Sequence, residues 1–186
     1  MNAKPYSRVL NFAWYQLIWF GAVVGGVMFE PLLGLMIVLH LVLVRRWKSE
    51  FLLMTGAAIV GGGFDAVLTS AGFFAFDQTP SLLPIPLWLF AIWMGFAGTL
   101  NHSMSFMVAR PRLMAIAAAF FAPMTYLVAQ RLGAVTFPYG NAATAIAIGL
   151  SWWMITPALV WMSALSKGEV LQEVSPTRMQ LRSQEV

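Results

Sequence analysis

The sequence predicts an all-α protein, a polytopic transmembrane helix bundle of six spans with both termini in the cytoplasm. Three observations lead there. The 186 residues are 60% hydrophobic and only 10% charged, with a mean hydropathy of +0.76. The apolar residues gather into six runs, most of them about 20 residues long, which matches a hydrocarbon layer of roughly 30 Å. The basic residues stand between the runs rather than within them.

Such runs are foreign to a soluble domain of this length. They do not alternate as barrel strands do, and an open sheet would leave backbone groups unpaired in lipid, so each run reads as a helix. The first, Val9–Met28, follows Lys4 and Arg8. Its length, Trp14 and Trp19, and the lack of a small-x-small cleavage site mark a retained helix rather than a secretory signal. The second, Pro31–Val44, is short. The third is Phe51–Phe76, and the fourth, Pro84–Val108, carries Pro84 and Pro86 near its tolerant first turn. Leu113–Ala129 and Asn141–Leu165 complete the set, with Pro123 and Pro157 predicted to kink them. Glu30-Pro31, Asp77-Gln78-Thr79-Pro80 and Pro138-Tyr139-Gly140-Asn141 read as turns. Residues 1–166 are thus predicted to form one six-helix domain. Residues 167–186 are predicted to be a polar cytoplasmic tail, either a helix stub or disordered.

The pI near 9.9 resembles a nucleic-acid signal, but the positions argue for lipid. Of the 11 Lys and Arg residues, Lys4, Arg8, Arg45, Arg46, Lys48, Arg110, Arg112, Lys167, Arg178 and Arg182 fall on one side of the six-span topology. Arg131 alone falls on the other. That is a positive-inside bias, and membrane lipids, not nucleic acid, are the predicted partners. The absence of cysteine excludes disulfides, thiolate metal sites and cysteine nucleophiles. Phosphate-loop, His-Glu-x-x-His and Gly-x-Ser-x-Gly patterns are also missing. Two histidines and one deep acid make an unpersuasive transition-metal set, so neither metal nor cofactor is predicted.

Asp65 is the residue out of place. It lies near the centre of the third run, where no lysine or arginine shares its depth. Intramembrane acids face a protein interior or a watery cavity, so Asp65 is predicted to be protonated or held by neutral polar partners, for which His102, Asn101, Thr99 and Tyr126 are the candidates. His102 is its candidate catalytic companion, although about 1.5 Å of rise per residue puts the two roughly 10 Å apart in depth. Asn11, Tyr15, Thr69, Thr99, Asn101, Ser105 and Tyr126 are candidate substrate-binding residues, with Ser103 or Ser105 in an orienting role. His40, close to Arg45 and Arg46, reads as a wet headgroup-level residue. On helical wheels Ala58, Gly61, Asp65, Thr69 and Gly72 share one face, and Ala91, Gly95, Gly98, His102 and Ser105 another. Two small-residue stripes predict face-to-face packing of spans three and four. Trp152 and Trp153 read as core or cavity lining rather than interfacial belt.

Several short motifs carry a resemblance. They are Asn11-Phe12-x-Trp14-Tyr15-x-x-x-Trp19, Phe64-Asp65-x-x-Leu68, Pro86-Leu87-Trp88-x-x-x-x-Trp93, Phe96-Ala97-x-Thr99-Leu100-x-His102-Ser103, and Pro123 with Tyr126. Together they resemble the DUF2878 family of uncharacterised bacterial inner-membrane proteins, over Asn11 to about Leu165. The resemblance implies a multi-pass protein of the bacterial cytoplasmic membrane and brings no activity with it. Members are often encoded near fatty-acid-modifying enzymes, which turns expectation toward lipids. A more distant likeness is to polytopic lipid hydrolases of the lysoplasmalogenase type, which also carry an intramembrane Asp after glycines. This chain lacks their wider set of acids and histidines. Three function classes stay open at this level: a site that binds or modifies a lipid or other small molecule, a non-catalytic scaffold or accessory subunit, and a small proton-coupled transporter.

Overall fold

The computed structural model describes residues 7–77 and 82–168. Lys4, the Gln78-Thr79-Pro80 part of the second predicted turn, and the tail beyond Gly168 lie outside the described residues. Within them the chain is helical, without strands apart from one isolated antiparallel bridge between Ala75 and Thr136. The elements are α1 (Arg8–Gly25), a 3-10 turn (Gly26–Phe29), α2 (Glu30–Leu43), α3 (Trp47–Ser70), α4 (Leu87–Leu100), α5 (Ser105–Val108), α6 (Pro111–Arg131) and α7 (Gly140–Lys167).

By length and composition, Arg8–Leu43, Trp47–Ser70, Pro111–Arg131 and Gly140–Lys167 are long and apolar enough to cross a membrane. Leu87–Leu100 is apolar but shorter. The 36-residue stretch 8–43 is not one rod. The Trp14 indole N–H donates to the Met36 carbonyl at 3.1 Å, whereas 22 residues of straight helix would part them by about 33 Å. The reversal lies at Gly26, whose φ of +53° suits glycine alone. The turn predicted at Glu30-Pro31 is therefore displaced, and both residues open α2 instead. There the Glu30 carboxylate accepts the Trp88 backbone N–H at 3.1 Å, satisfying an orphan donor at the start of α4.

The partners of α3 run antiparallel to it, whereas α2 and α4 run parallel, Glu30 lying against Trp88 and His40 against Gly98. Asp65 of α3 meets Trp93 of α4, while Glu50 meets Asn101; Arg46 reaches the Lys167 carbonyl. α3 ends earlier than the apolar run suggests. Gly72 at φ +84° closes a Schellman cap, in which the Phe73 N–H bonds the Leu68 carbonyl and the Gly72 N–H that of Thr69. Residues 73–76 then leave the helix and form the Ala75–Thr136 bridge, which is why apolarity alone misplaced the helix end.

The fourth run is also broken. α4 stops at Leu100, and residues 101–104 turn before α5. Asn11 accounts for the break. Its Nδ2 donates to the Gly98 carbonyl at 3.0 Å, and its Oδ1 accepts the Ser103 N–H at 3.1 Å and the Ser103 hydroxyl at 2.6 Å. A continuous helix would have used that carbonyl for the residue 102 N–H and that N–H for the residue 99 carbonyl. Irregular backbone in an apolar bundle persists only where buried partners satisfy it, and Asn11 is that partner.

The predicted stripe-on-stripe packing of α3 and α4 is corrected in one respect. The two helices do pack, but aromatic rings of α4 lie over the glycines of α3: a Cβ on Gly61 would strike the Trp93 indole, and one on Gly62 the Phe90 ring. Gly95 instead faces Tyr15 and Ile18 of α1, and Gly98 faces Trp14 and His40. His102 and Ser105 lie beyond the end of α4 and do not extend its stripe. α6 and α7 run unbroken through Pro123 and Pro157. The carbonyl that Pro123 deprives of a helical donor belongs to Ala119, and Gly149 of α7 packs directly against it.

Candidate functional site

Asp65 and Glu50 each anchor a buried polar centre, and the two are far apart. Glu50 and Asp65 are both on α3, 15 residues and so about 22 Å along the axis. Asp65 is buried. The Trp93 indole N–H donates to its Oδ2 at 2.6 Å and the Tyr126 hydroxyl to its Oδ1 at 2.8 Å. Trp93 is stacked on Trp152 with ring centres 4.7 Å apart, and Tyr126 on Phe74 at 5.4 Å. Both donors are thus fixed by aromatic neighbours. Of the partners predicted for Asp65, Tyr126 is present; Trp93 was not foreseen. Thr69 turns its hydroxyl to the Asp65 backbone carbonyl, and Thr99 to the carbonyl of Phe96.

His102 is not a partner of Asp65. Its Nε2 lies 3.1 Å from Glu50 Oε1, and His40 Nε2 approaches the same oxygen at 3.3 Å. Glu50 Oε2 accepts from Asn101 Nδ2 at 3.1 Å. Asn101 also donates to Ser166 and accepts from Ser163 at 2.7 Å, which ties the cluster to α7. His40 is fully buried and stacked on Trp14 at 4.3 Å. It is a core residue, not the headgroup-level one its nearness to Arg45 suggested. Ser105 bonds the His102 carbonyl, and Asn11 spends its whole amide on the break after α4.

Sequence reasoning missed Glu50, because it falls one residue before the apolar run that starts at Phe51. A signal existed: Glu50, Met54, Ala57, Gly61 and Asp65 follow helical spacing along one buried face of α3.

A cavity of about 330 Å³ shares Trp93 and Tyr126 with the Asp65 centre. Its wall is almost wholly apolar and includes Phe12, Trp19, Val23, Ile92, Met107, Phe121 and Trp152, with Tyr15, Thr99, Thr125 and Tyr126 as its polar members. The cavity sits over α4 between α1 and α6. α1 packs on α4 and α6 on α7, and the pair α1–α6 is not among the closely packed helices. Of the tryptophans predicted to be deep, Trp152 lines this cavity, whereas Trp153 is 51% exposed on the outer surface.

A family model described as "Protein of unknown function (DUF2878)" matches residues 8–158. No curated protein and no solved structure matches the chain.

Proposed function

The chain belongs to the DUF2878 family, and from that premise we propose an integral protein of the bacterial cytoplasmic membrane that takes up a lipid acyl chain from the surrounding leaflet. On this reading α1, α2, α3, α4, α6 and α7 each cross the bilayer, with both termini on the cytoplasmic side. The shorter members α2 and α4, at about 21 Å, are helped by local thinning of the bilayer. The basic residues after α2, at the starts of α1, α3 and α6 and at the end of α7 then meet one leaflet, and Arg131 meets the other.

The observation that carries the proposal is the cavity between α1 and α6. Its volume stands at the lower end of the roughly 300–1,000 Å³ usual for small-molecule sites. Its wall suits hydrocarbon, and the loosely joined α1 and α6 offer a lateral way in. Asp65 acts through others: it fixes the Tyr126 hydroxyl and the Trp93 ring in the wall, so that Tyr126 retains acceptor capacity toward a hydroxyl or amide of the ligand. This is a binding role, with no reaction assigned.

The test is lipid retention by the full chain reconstituted in nanodiscs of bacterial polar lipids, read by native mass spectrometry after transfer to detergent. Ala118→Trp fills the cavity and should strip the retained lipid. Ile116→Trp, on the exposed side of the same helix, should not. Equal retention by both variants and wild type would favour the scaffold reading.

A further inference from the structure

The Glu50 cluster calls for a different ligand, independently of the cavity. Three elements supply it: the last turn of α2 gives His40, the first turn of α3 gives Glu50, and the turn after α4 gives His102. One ligand atom from each of the three lies within 4.8 Å of the others. We propose that His40, Glu50 and His102 bind a divalent transition-metal ion of the Zn²⁺ or Fe²⁺ type.

The donor set is the first argument. Two imidazoles and one carboxylate are what zinc and non-haem iron(II) sites use, leaving further positions for water or a ligand. Ca²⁺ and Mg²⁺ demand mostly oxygen donors. The spacing is the second. Metal–ligand bonds of about 2.0–2.2 Å in tetrahedral geometry require neighbouring donors roughly 3.3–3.5 Å apart. The two nitrogen-to-oxygen separations, 3.1 and 3.3 Å, lie within 0.2 Å of that spacing, and the three donor atoms all lie within 4.8 Å of one another, so a small shift of the imidazoles completes the geometry.

The surroundings are the third argument. A metal site needs its ligands aimed by outer groups. Glu50 is aimed by Asn101, which Ser163 and Ser166 hold in turn. His40 is clamped against Trp14, and the two imidazole rings stand at 89° to each other. Gly98 leaves room beside the cluster, since a Cβ there would sit 3.1 Å from His40 Nε2. Finally, the side chains of His40 and Glu50 are 0% and 4% exposed, but that of His102 is 18% exposed. The cluster therefore has an entry path for an ion. A cation at its centre also offsets a carboxylate that burial otherwise makes costly.

The test uses the full chain, purified in detergent with any affinity tag removed, stripped with a chelator and titrated with Zn²⁺ and with Co²⁺. The expected result is one equivalent bound, with the intense visible d–d absorption of four-coordinate Co²⁺. Glu50→Gln and His102→Ala should each weaken Zn²⁺ binding by at least about tenfold, while Asp65→Asn leaves it unchanged. Should the ligand variants fail to fold, X-ray absorption on the Zn²⁺-loaded wild type reads the first shell directly, and two imidazole nitrogens with a carboxylate oxygen are expected. Failure of the wild type to retain Zn²⁺, undiminished binding by Glu50→Gln, or a shell without imidazole overturns the proposal and leaves a hydrogen-bonded His–Glu–His cluster. Lipid retention in nanodiscs is read separately, so either proposal can fail alone.

Discussion

Asn11 and Ser103 are joined by two hydrogen bonds to a single oxygen: the Ser103 backbone N–H at 3.1 Å and its hydroxyl at 2.6 Å both reach Asn11 Oδ1. With the Asn11 amide on the Gly98 carbonyl, one side chain repairs both ends of the interruption between α4 and α5. Asn11→Leu leaves a buried carbonyl, a buried N–H and the Ser103 hydroxyl without these partners. At about 1–3 kcal/mol for each orphaned group, a loss of roughly 2–6 kcal/mol is expected from the two backbone groups alone. Asn11→Asp keeps the acceptor for Ser103 and, as the protonated acid, a donor for the Gly98 carbonyl, and in that form should lose less. Thermal unfolding of the two variants in the same detergent checks the order.

Gly61 and Gly63 are two residues apart and should respond oppositely to the same methyl group. A Cβ on Gly61 runs into Trp93, which the Asp65 bond and the Trp152 stack hold in place. Overpacking against such a ring costs about 1–3 kcal/mol. A Cβ on Gly63 meets nothing within 4 Å. Gly63→Ala should therefore be neutral or gain up to about 1 kcal/mol of helix propensity. Equal destabilisation by both would mean that Trp93 does not rest on α3.

How far the sequence alone reaches is visible in these same residues. The helical class and the positions of α6 and α7 follow from run length, and the importance of Asp65 follows from its solvent. Tyr126 was among its foreseen partners because a buried carboxylate needs a donor. Hydropathy could not reveal that α4 ends at Leu100, because the break is made by Asn11, far away in sequence. Nor could it reveal the Glu50 cluster. Burial of Glu50 depends on His40 arriving from α2 and His102 from the turn after α4, and a local window records only the neighbouring Arg and Lys residues. The small stripe of α4 was read correctly as a packing surface but assigned to the wrong partner, since a helical wheel gives a face and not what covers it.

Asp65→Asn is a cleaner probe than its loss of charge suggests. Trp93 can only donate, whereas a tyrosine hydroxyl donates or accepts. Asparagine can therefore present its oxygen to Trp93 and its amide to Tyr126, preserving both contacts. Its effect on stability should stay within about 1 kcal/mol, while Asp65→Leu should lose about 1–3 kcal/mol by orphaning the indole N–H. If Asp65 serves by fixing Tyr126 and Trp93, Asp65→Asn retains lipid in the nanodisc assay and Asp65→Leu does not. Loss of lipid with Asp65→Asn in a stable protein would shift the role to the carboxylic acid itself.

Gly149 tests the closest approach of α6 and α7. A Cβ there would stand 2.9 Å from the Ala119 carbonyl oxygen, the acceptor that Pro123 leaves without a helical donor. Gly149→Ala should cost about 1–3 kcal/mol by forcing the helices apart. Pro123→Ala returns an N–H to the Ala119 carbonyl and draws it back into the α6 ladder. The two substitutions share one oxygen, so their effects should fail to add by at least about 0.5 kcal/mol. A double-mutant cycle in detergent measures that term, and strict additivity would show that the proline and the glycine do not meet at this carbonyl.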